Sequence, residues 1–146
     1  MVQRYGKGAF MTQAFPITIY HNPKCGTSRN TLAMIEAAGY APEVVEYVKA
    51  GWTRPQLAQI VTDMAGTARD ILRTKGSPAE ELGLTDPAAS DEAILAAMLE
   101  HPILVNRPIV VTPLGTKLCR PSELVLPLLD KQPASFTKED GEVVKP

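Results

Sequence analysis

Two short runs rich in β-branched and aromatic residues, Ile17-Thr-Ile-Tyr20 and Val44-Val-Glu-Tyr47, are separated by one helix-length stretch and nothing more. Strand, helix, strand at that spacing is a βαβ crossover, which commits the chain to a sheet with at least one parallel pair. The helix of this unit is expected to start at Thr27 or Ser28, to turn Leu32 and Ile35 inward, and to stop at Gly39, a residue free to adopt the left-handed conformation of a helix end.

Downstream, Thr53-Arg-Pro-Gln56 reads as a capping box with proline in the first turn, followed by an apolar stripe at Leu57, Ile60, Val61 and Met64. Ala68 to Leu72 suggests a further short helix, and residues 75 to 89 a loop with a turn near Glu80. Ser90-Asp-Glu opens another helix with Ile94, Leu95, Met98 and Leu99 inward. Pro108 to Val111 is a third strand, the Pro113-Leu-Gly115 turn leads to a fourth at Thr116 to Cys119, and Pro121 starts a last helix with Leu124, Val125, Leu128 and Leu129 buried. Pro127 lies within that helix and predicts a kink or an early end, because its ring has no N–H to donate. The sum is an α/β protein: a thioredoxin-like, mixed four-stranded sheet with packed helices and a helical insert after the second strand.

The domain spans residues 16–130, between an N-terminal extension over 1–15 expected to be disordered and a polar C-terminal tail over 131–146; Met11 is an alternative start. A chain of 146 residues is one domain's length and can bury a real core. Fifteen basic residues against sixteen acidic ones remove the positive bias on which nonspecific nucleic-acid binding depends. No apolar stretch nears the length of a membrane span, and no secretory leader is visible. Two cysteines, far apart, make no disulfide scaffold and suit a reducing, cytoplasmic setting.

Cys25 stands between the first strand and the first helix, in the polar turn Pro-Lys-Cys-Gly-Thr-Ser. A free thiol has a pKa near ~8.5, so only about 3% is thiolate at pH 7. At a helix start, unpaired backbone N–H groups and the dipole favour the anion. His21 and Arg29 are the nearest positive partners, and Ser28 and Thr27 can donate hydrogen bonds to sulfur or to a bound oxyanion. The alternative, a small packed cysteine, fits the polar turn poorly. Arg107 and Arg120 each precede a proline at the end of a sheet element and Arg73 follows Ile71-Leu72; all three are either solvated charges or planar forks for a tetrahedral oxyanion. Thr31 occupies the position where a low-molecular-weight phosphatase loop needs arginine, and the cysteines and histidines lack paired spacing, so no metal site is expected. Cys119 reads as core, and His101 as a partner for a helix C-terminus.

The segments IYHNPKCGTSRNTL, EELGL, HPILVNRPIVVTPLGTKLCRPSE and FTKEDGE together resemble the glutaredoxin-coupled arsenate reductases, over about Ile17 to Gly141. That resemblance implies reduction of arsenate to arsenite. Cys25 matches the nucleophile, His21 a histidine that assists it, and Arg73, Arg107 and Arg120 the arginines that hold the oxyanion; Ser28 joins them as a candidate anion contact. It also implies glutathione as co-substrate, glutaredoxin as partner, no bound cofactor, and a cis peptide before Pro108. Pro127 departs from the family pattern. The competing class on the same fold is an Spx-like regulator that binds RNA polymerase without turnover. It typically carries Cys-x-x-Cys at this loop, where this chain has Ser28.

Overall fold

The computed structural model describes residues 14–146 and, upstream, only the backbone pairing of Tyr5–Gly6 with Ala9–Phe10. Apart from that pairing, the expectation for residues 1–15 lies outside the described residues up to residue 13; at the end of the extension Phe15 packs on Tyr40 with ring centroids 5.4 Å apart.

Four strands make the central sheet: β1 (Thr18–His21), β2 (Glu43–Glu46), β3 (Ile109–Thr112) and β4 (Gly115–Leu118), in the order β2-β1-β3-β4. β1 runs parallel to β2, with Ile19 opposite Val44, and antiparallel to β3, with Ile19 opposite Val110; β3 and β4 form the hairpin. This is the mixed thioredoxin-like sheet that the pattern predicts. Successive residues of a strand face opposite sides, and both sides are covered. Ile19 and Val110 join Met34, Ile35, Val125 and Leu128 on one face. Tyr20, Ile109 and Leu118 pack on the other, against Tyr47, Leu57, Ile71, Ile94 and Met98 of the insert.

Helix α1 (Gly26–Ala37) connects β1 to β2. It closes on a Schellman motif, with Gly39 at φ +98°, the Gly39 N–H donating to Glu36 O at 2.9 Å and the Tyr40 N–H to Ile35 O at 3.3 Å. β2 ends one residue before the predicted Tyr47, which instead starts the single-turn α2 (Tyr47–Ala50) with its ring fully buried. α3 (Arg54–Asp63) carries the expected reciprocal box: Gln56 N donates to Thr53 Oγ1 at 3.3 Å, and Thr53 N to Gln56 Oε1 at 2.8 Å. A 3₁₀ turn at Ala68–Ile71 precedes α4 (Asp91–Glu100), which Ser90 caps by accepting from Ala93 N at 3.0 Å. The loop before α4 is braced by Arg69, whose guanidinium donates to the carbonyls of Leu84, Asp86 and Ala89. The insert rejoins the sheet side where Leu72 bridges Val105.

Two regions differ from expectation. The last helix is not an α-helix: Ser122–Leu128 is 3₁₀ throughout. In an α-helix the ring of Pro127 would clash with the carbonyl of Glu123; 3₁₀ pairing shifts the acceptor to the third residue back and relieves that clash, while the missing N–H is lost in either helix. Side chains three apart eclipse in a 3₁₀ helix, so Ser122, Val125 and Leu128 form the buried row. Leu124, expected inside, is 38% exposed. The second difference lies in residues 131–146, expected as a polar tail, which carry a hairpin of β5 (Phe136–Thr137) and β6 (Val143–Val144). Val144 enters the α1-side core, and Lys138 Nζ sits between Glu123 Oε1 at 2.7 Å and Glu142 Oε1 at 3.1 Å. Val144 and Phe136 on the core, with the Lys138–Glu123 ion pair, dock this segment through partners that apolar periodicity does not mark.

Among the described residues, no helix is long and apolar enough to cross a membrane.

Candidate active site

The turn after β1 is closed by the Cys25 N–H donating to Asn22 O at 3.0 Å, and Cys25 is the N-cap of α1, its carbonyl accepting from Arg29 N at 3.0 Å. An extended residue at a helix start presents its side chain to the unpaired N–H groups of the first turn. Cys25 is 9% exposed, its Sγ accepts from Arg120 Nη1 at 3.6 Å, and the Ser28 backbone N–H faces the sulfur from the first turn of α1. Burial pushes the thiol up; the Ser28 N–H and the guanidiniums of Arg107 and Arg120 outweigh it and bring the Cys25 pKa down from 9.0 to about 7.

The β3–β4 hairpin explains how two arginines reach one cysteine. Arg107 precedes β3 and Arg120 follows β4, so antiparallel pairing, extended by Cys119 N donating to Pro108 O at 2.9 Å, brings them side by side. Arg120 Nη1 donates to the Arg107 carbonyl at 3.0 Å, which aims it. Both arginines are joined to their prolines by cis peptides; the one before Pro108 was expected from the resemblance, the one before Pro121 was not.

Arg73 arrives from the insert. Its N–H donates to Leu104 O at 2.7 Å and Asn106 N donates to Ile71 O at 2.8 Å, which zips the two segments together beside Arg107. Burial lowers the Arg73 pKa, and the like charges of Arg107 and Arg120 lower it further, so the three guanidiniums share one electropositive site. Nε and Nη1 of Arg107 are buried without any hydrogen-bond partner. Buried donors are seldom left unpaired, and two free N–H groups on one guanidinium near the Cys25 thiol are suited to receive an anion.

His21 and Ser28, predicted for the same site, take a different place. Ser28 is fully buried, its Oγ accepting from Asn22 N at 3.1 Å and lying 2.6 Å from His21 Nδ1. Accepting from Asn22 uses one of the two hydroxyl lone pairs, so the contact suits a neutral His21 in either tautomer. Burial lowers the His21 pKa in the same sense, against the opposing carboxylate of Glu46. The Ser28 side chain therefore buttresses the turn, and its backbone N–H is the part of Ser28 that favours the thiolate. His101, predicted as a partner for a helix C-terminus, is the C-cap residue of α4, with its N–H donating to Ala97 O at 2.7 Å.

Two residues complete the site that sequence reasoning did not single out. Asn106 Oδ1 accepts from Arg107 N at 3.1 Å and from Arg73 Nη1 at 3.4 Å, tying two of the arginines together. Tyr47 donates its hydroxyl to Val105 O at 2.7 Å, and burial pushes it up to about 12 although the charge of Arg107 opposes this. Cys119 is fully buried and burial pushes its thiol up to about 12, as a core cysteine behaves. Among the described residues, no three His, Cys, Asp or Glu side chains converge as a metal site.

Comparison with known proteins gives the same region. Residues 20–128 match the ArsC family. Arsenate reductase ArsI2 of Synechocystis sp. is 60% identical over 129 residues, covering 88% of this chain and 92% of its own. The arsenate reductase of Escherichia coli strain K12 is 54% identical over the same length, covering 88% and 92%. Among solved structures, the arsenate reductase from Vibrio cholerae superposes with a TM-score of 0.75 at 41% identity, over 80% of this chain and all of that one. A family match that includes Cys25 and all three arginines, with relatives this close over nearly the whole domain, makes this chain a member of the ArsC family.

Proposed function

We propose that this protein is an arsenate reductase in which Cys25 is the nucleophile, Arg73, Arg107 and Arg120 hold the oxyanion, and glutathione and glutaredoxin supply the electrons. The observation that carries the reading is the pair of buried, unpartnered donors on Arg107 next to a thiol whose pKa is about 7. The relatives' names support the substrate, and the resemblance of the motifs supports the reductants.

The chemistry asks two things of the site. An anionic sulfur must approach an anionic As(V) centre, and negative charge must not accumulate. Three arginines neutralise the substrate oxygens, and two of them also lower the cost of the thiolate. Sulfur bonds to arsenic as one oxygen leaves as water, and the glutathione thiol then adds with loss of a second. A glutaredoxin thiolate takes the glutathionyl sulfur as a mixed disulfide, and the electron pair of the broken S–As bond reduces arsenic to As(III). Water releases arsenite and restores Cys25.

The test is NADPH consumption on arsenate with glutathione, glutathione reductase and glutaredoxin supplied, comparing wild type with Cys25→Ser. Turnover that requires arsenate, glutaredoxin and Cys25 is the expected result. Wild-type protein that is folded yet gives no turnover with every coupling component active overturns the reading.

A further inference from the structure

Arg29 brackets the nucleophile without taking part in the anion site. From the first turn of α1, its Nη1 donates to the carbonyl of Pro23, two residues before Cys25, at 2.8 Å. Its Nε and Nη2 meet the two carboxylate oxygens of Glu139 at 2.9 and 3.0 Å. Glu139 belongs to the turn of the C-terminal hairpin, and its N–H donates to Asn30 Oδ1 at 3.0 Å. The ion pair lies over Gly26, the residue after Cys25: a Cβ placed there would be 3.6 Å from Arg29 Nη2 and 3.7 Å from Glu139 Oε1. Next to Glu139, Lys138 is bound to Glu123 at 2.7 Å, in the 3₁₀ helix that follows Arg120. One hairpin turn thus grips both the segment that carries the nucleophile and the segment that carries the arginine 3.6 Å from its sulfur.

We propose that Glu139 is a positioning residue: it holds the Arg29 fork against Pro23 and over Gly26, which fixes the Cys25 loop in register with Arg120. The inference rests on reading Cys25 as the nucleophile of arsenate reduction. An ion pair this exposed adds little to stability. A bidentate arginine–carboxylate contact is geometrically strict, however, and hydrogen bonds to a thiolate weaken quickly when donor and acceptor lose alignment. The effect of the pair therefore falls on the position of the sulfur. A purely electrostatic role predicts the opposite sign, because deleting the Glu139 carboxylate leaves Arg29 free to stabilise the thiolate.

The experiment measures the pH midpoint of Cys25 alkylation by iodoacetamide, together with kcat and KM for arsenate, in Glu139→Ala, Glu139→Asp and Arg29→Lys, each checked for folding by circular dichroism. Positioning predicts that Glu139→Ala moves the midpoint up by at least about half a unit and lowers kcat about tenfold with a smaller change in KM. Glu139→Asp should recover part of the loss, and Arg29→Lys, which keeps the charge but not the fork, should behave like Glu139→Ala. A midpoint that is unchanged or lower in Glu139→Ala, or an Arg29→Lys protein indistinguishable from wild type, overturns the proposal. Alkylation needs no arsenate, so a wild type that fails to reduce arsenate refutes the proposed function while the midpoints still judge the clamp.

Discussion

Replacing Arg120 with alanine isolates the electrostatic part of thiolate stabilisation. The guanidinium lies 3.6 Å from Sγ. At that separation two unit charges attract by about 1 kcal/mol in bulk water and about 5 kcal/mol at an effective dielectric near 20. Arg107 and the Ser28 N–H remain in the variant, and solvent reaches the anion side of the site, so the lower part of this range applies. At about 1.4 kcal/mol per unit, the Cys25 pKa should rise by about 1–2 units. From the wild-type value of about 7, the thiolate at pH 7 then falls from about half to about 1–10% of the protein. Alkylation slows less than this, about two- to sixfold, because the thiolate that remains is the stronger nucleophile. Ultraviolet thiolate absorbance against pH is therefore the decisive assay. An Arg120→Ala protein titrating within about 0.3 unit of wild type would refute the argument, and the Ser28 N–H and Arg107 would then account for the whole depression.

Wild-type alkylation should follow a single ionisation: about a tenth of maximal at pH 6, half near pH 7 and about nine-tenths at pH 8, since a depressed thiol pKa puts the reactive anion above, not below, that midpoint. Ser28→Ala leaves the buried Asn22 N–H unpaired and should cost about 1–3 kcal/mol in urea denaturation, with Cys25 still alkylated near neutral pH because its contact is to the backbone N–H. Thr53→Ala removes an exposed cap far from the site and should cost about 1 kcal/mol while arsenate turnover is unchanged.

What could be read in advance was what local chemistry decides. The caps at Thr53 and Ser90, the stop at Gly39 and the strand–cysteine–helix unit each rest on residues within a few positions of one another. Cys25 and the three arginines were visible as residue types and as motif matches, but their convergence needed the hairpin pairing and the Leu72–Val105 bridge. Features held by distant partners stayed hidden. Arg69 bracing a loop more than ten residues on, the hairpin ion-paired to Glu123 and Arg29, and Asn106 between two arginines leave no periodic trace. The rotation of the Ser28 hydroxyl is of the same kind, since a serine beside a cysteine can face sulfur or histidine, and only the packed turn selects. The last helix shows that knowing a perturbation does not give its outcome. Pro127 excludes an α-helix, but the choice of 3₁₀ over a kink came from a buried row that only three-residue spacing can align.

The contrast between the two cysteines governs how the protein meets oxidative damage. Peroxide attacks thiolates, so Cys25 is exposed to it chemically while the fully buried Cys119, its thiol pushed up to about 12, is spared. With two cysteines in all and only one of them reactive, a sulfenic acid at position 25 has no ready internal thiol with which to condense. Its return to the active state depends on a thiol from solution, and in the absence of one oxidation proceeds to the sulfinic acid, which thiols do not reverse. On the proposed mechanism, the depressed pKa that would make the sulfur a nucleophile at neutral pH also ties the lifetime of the active protein to the surrounding thiol pool.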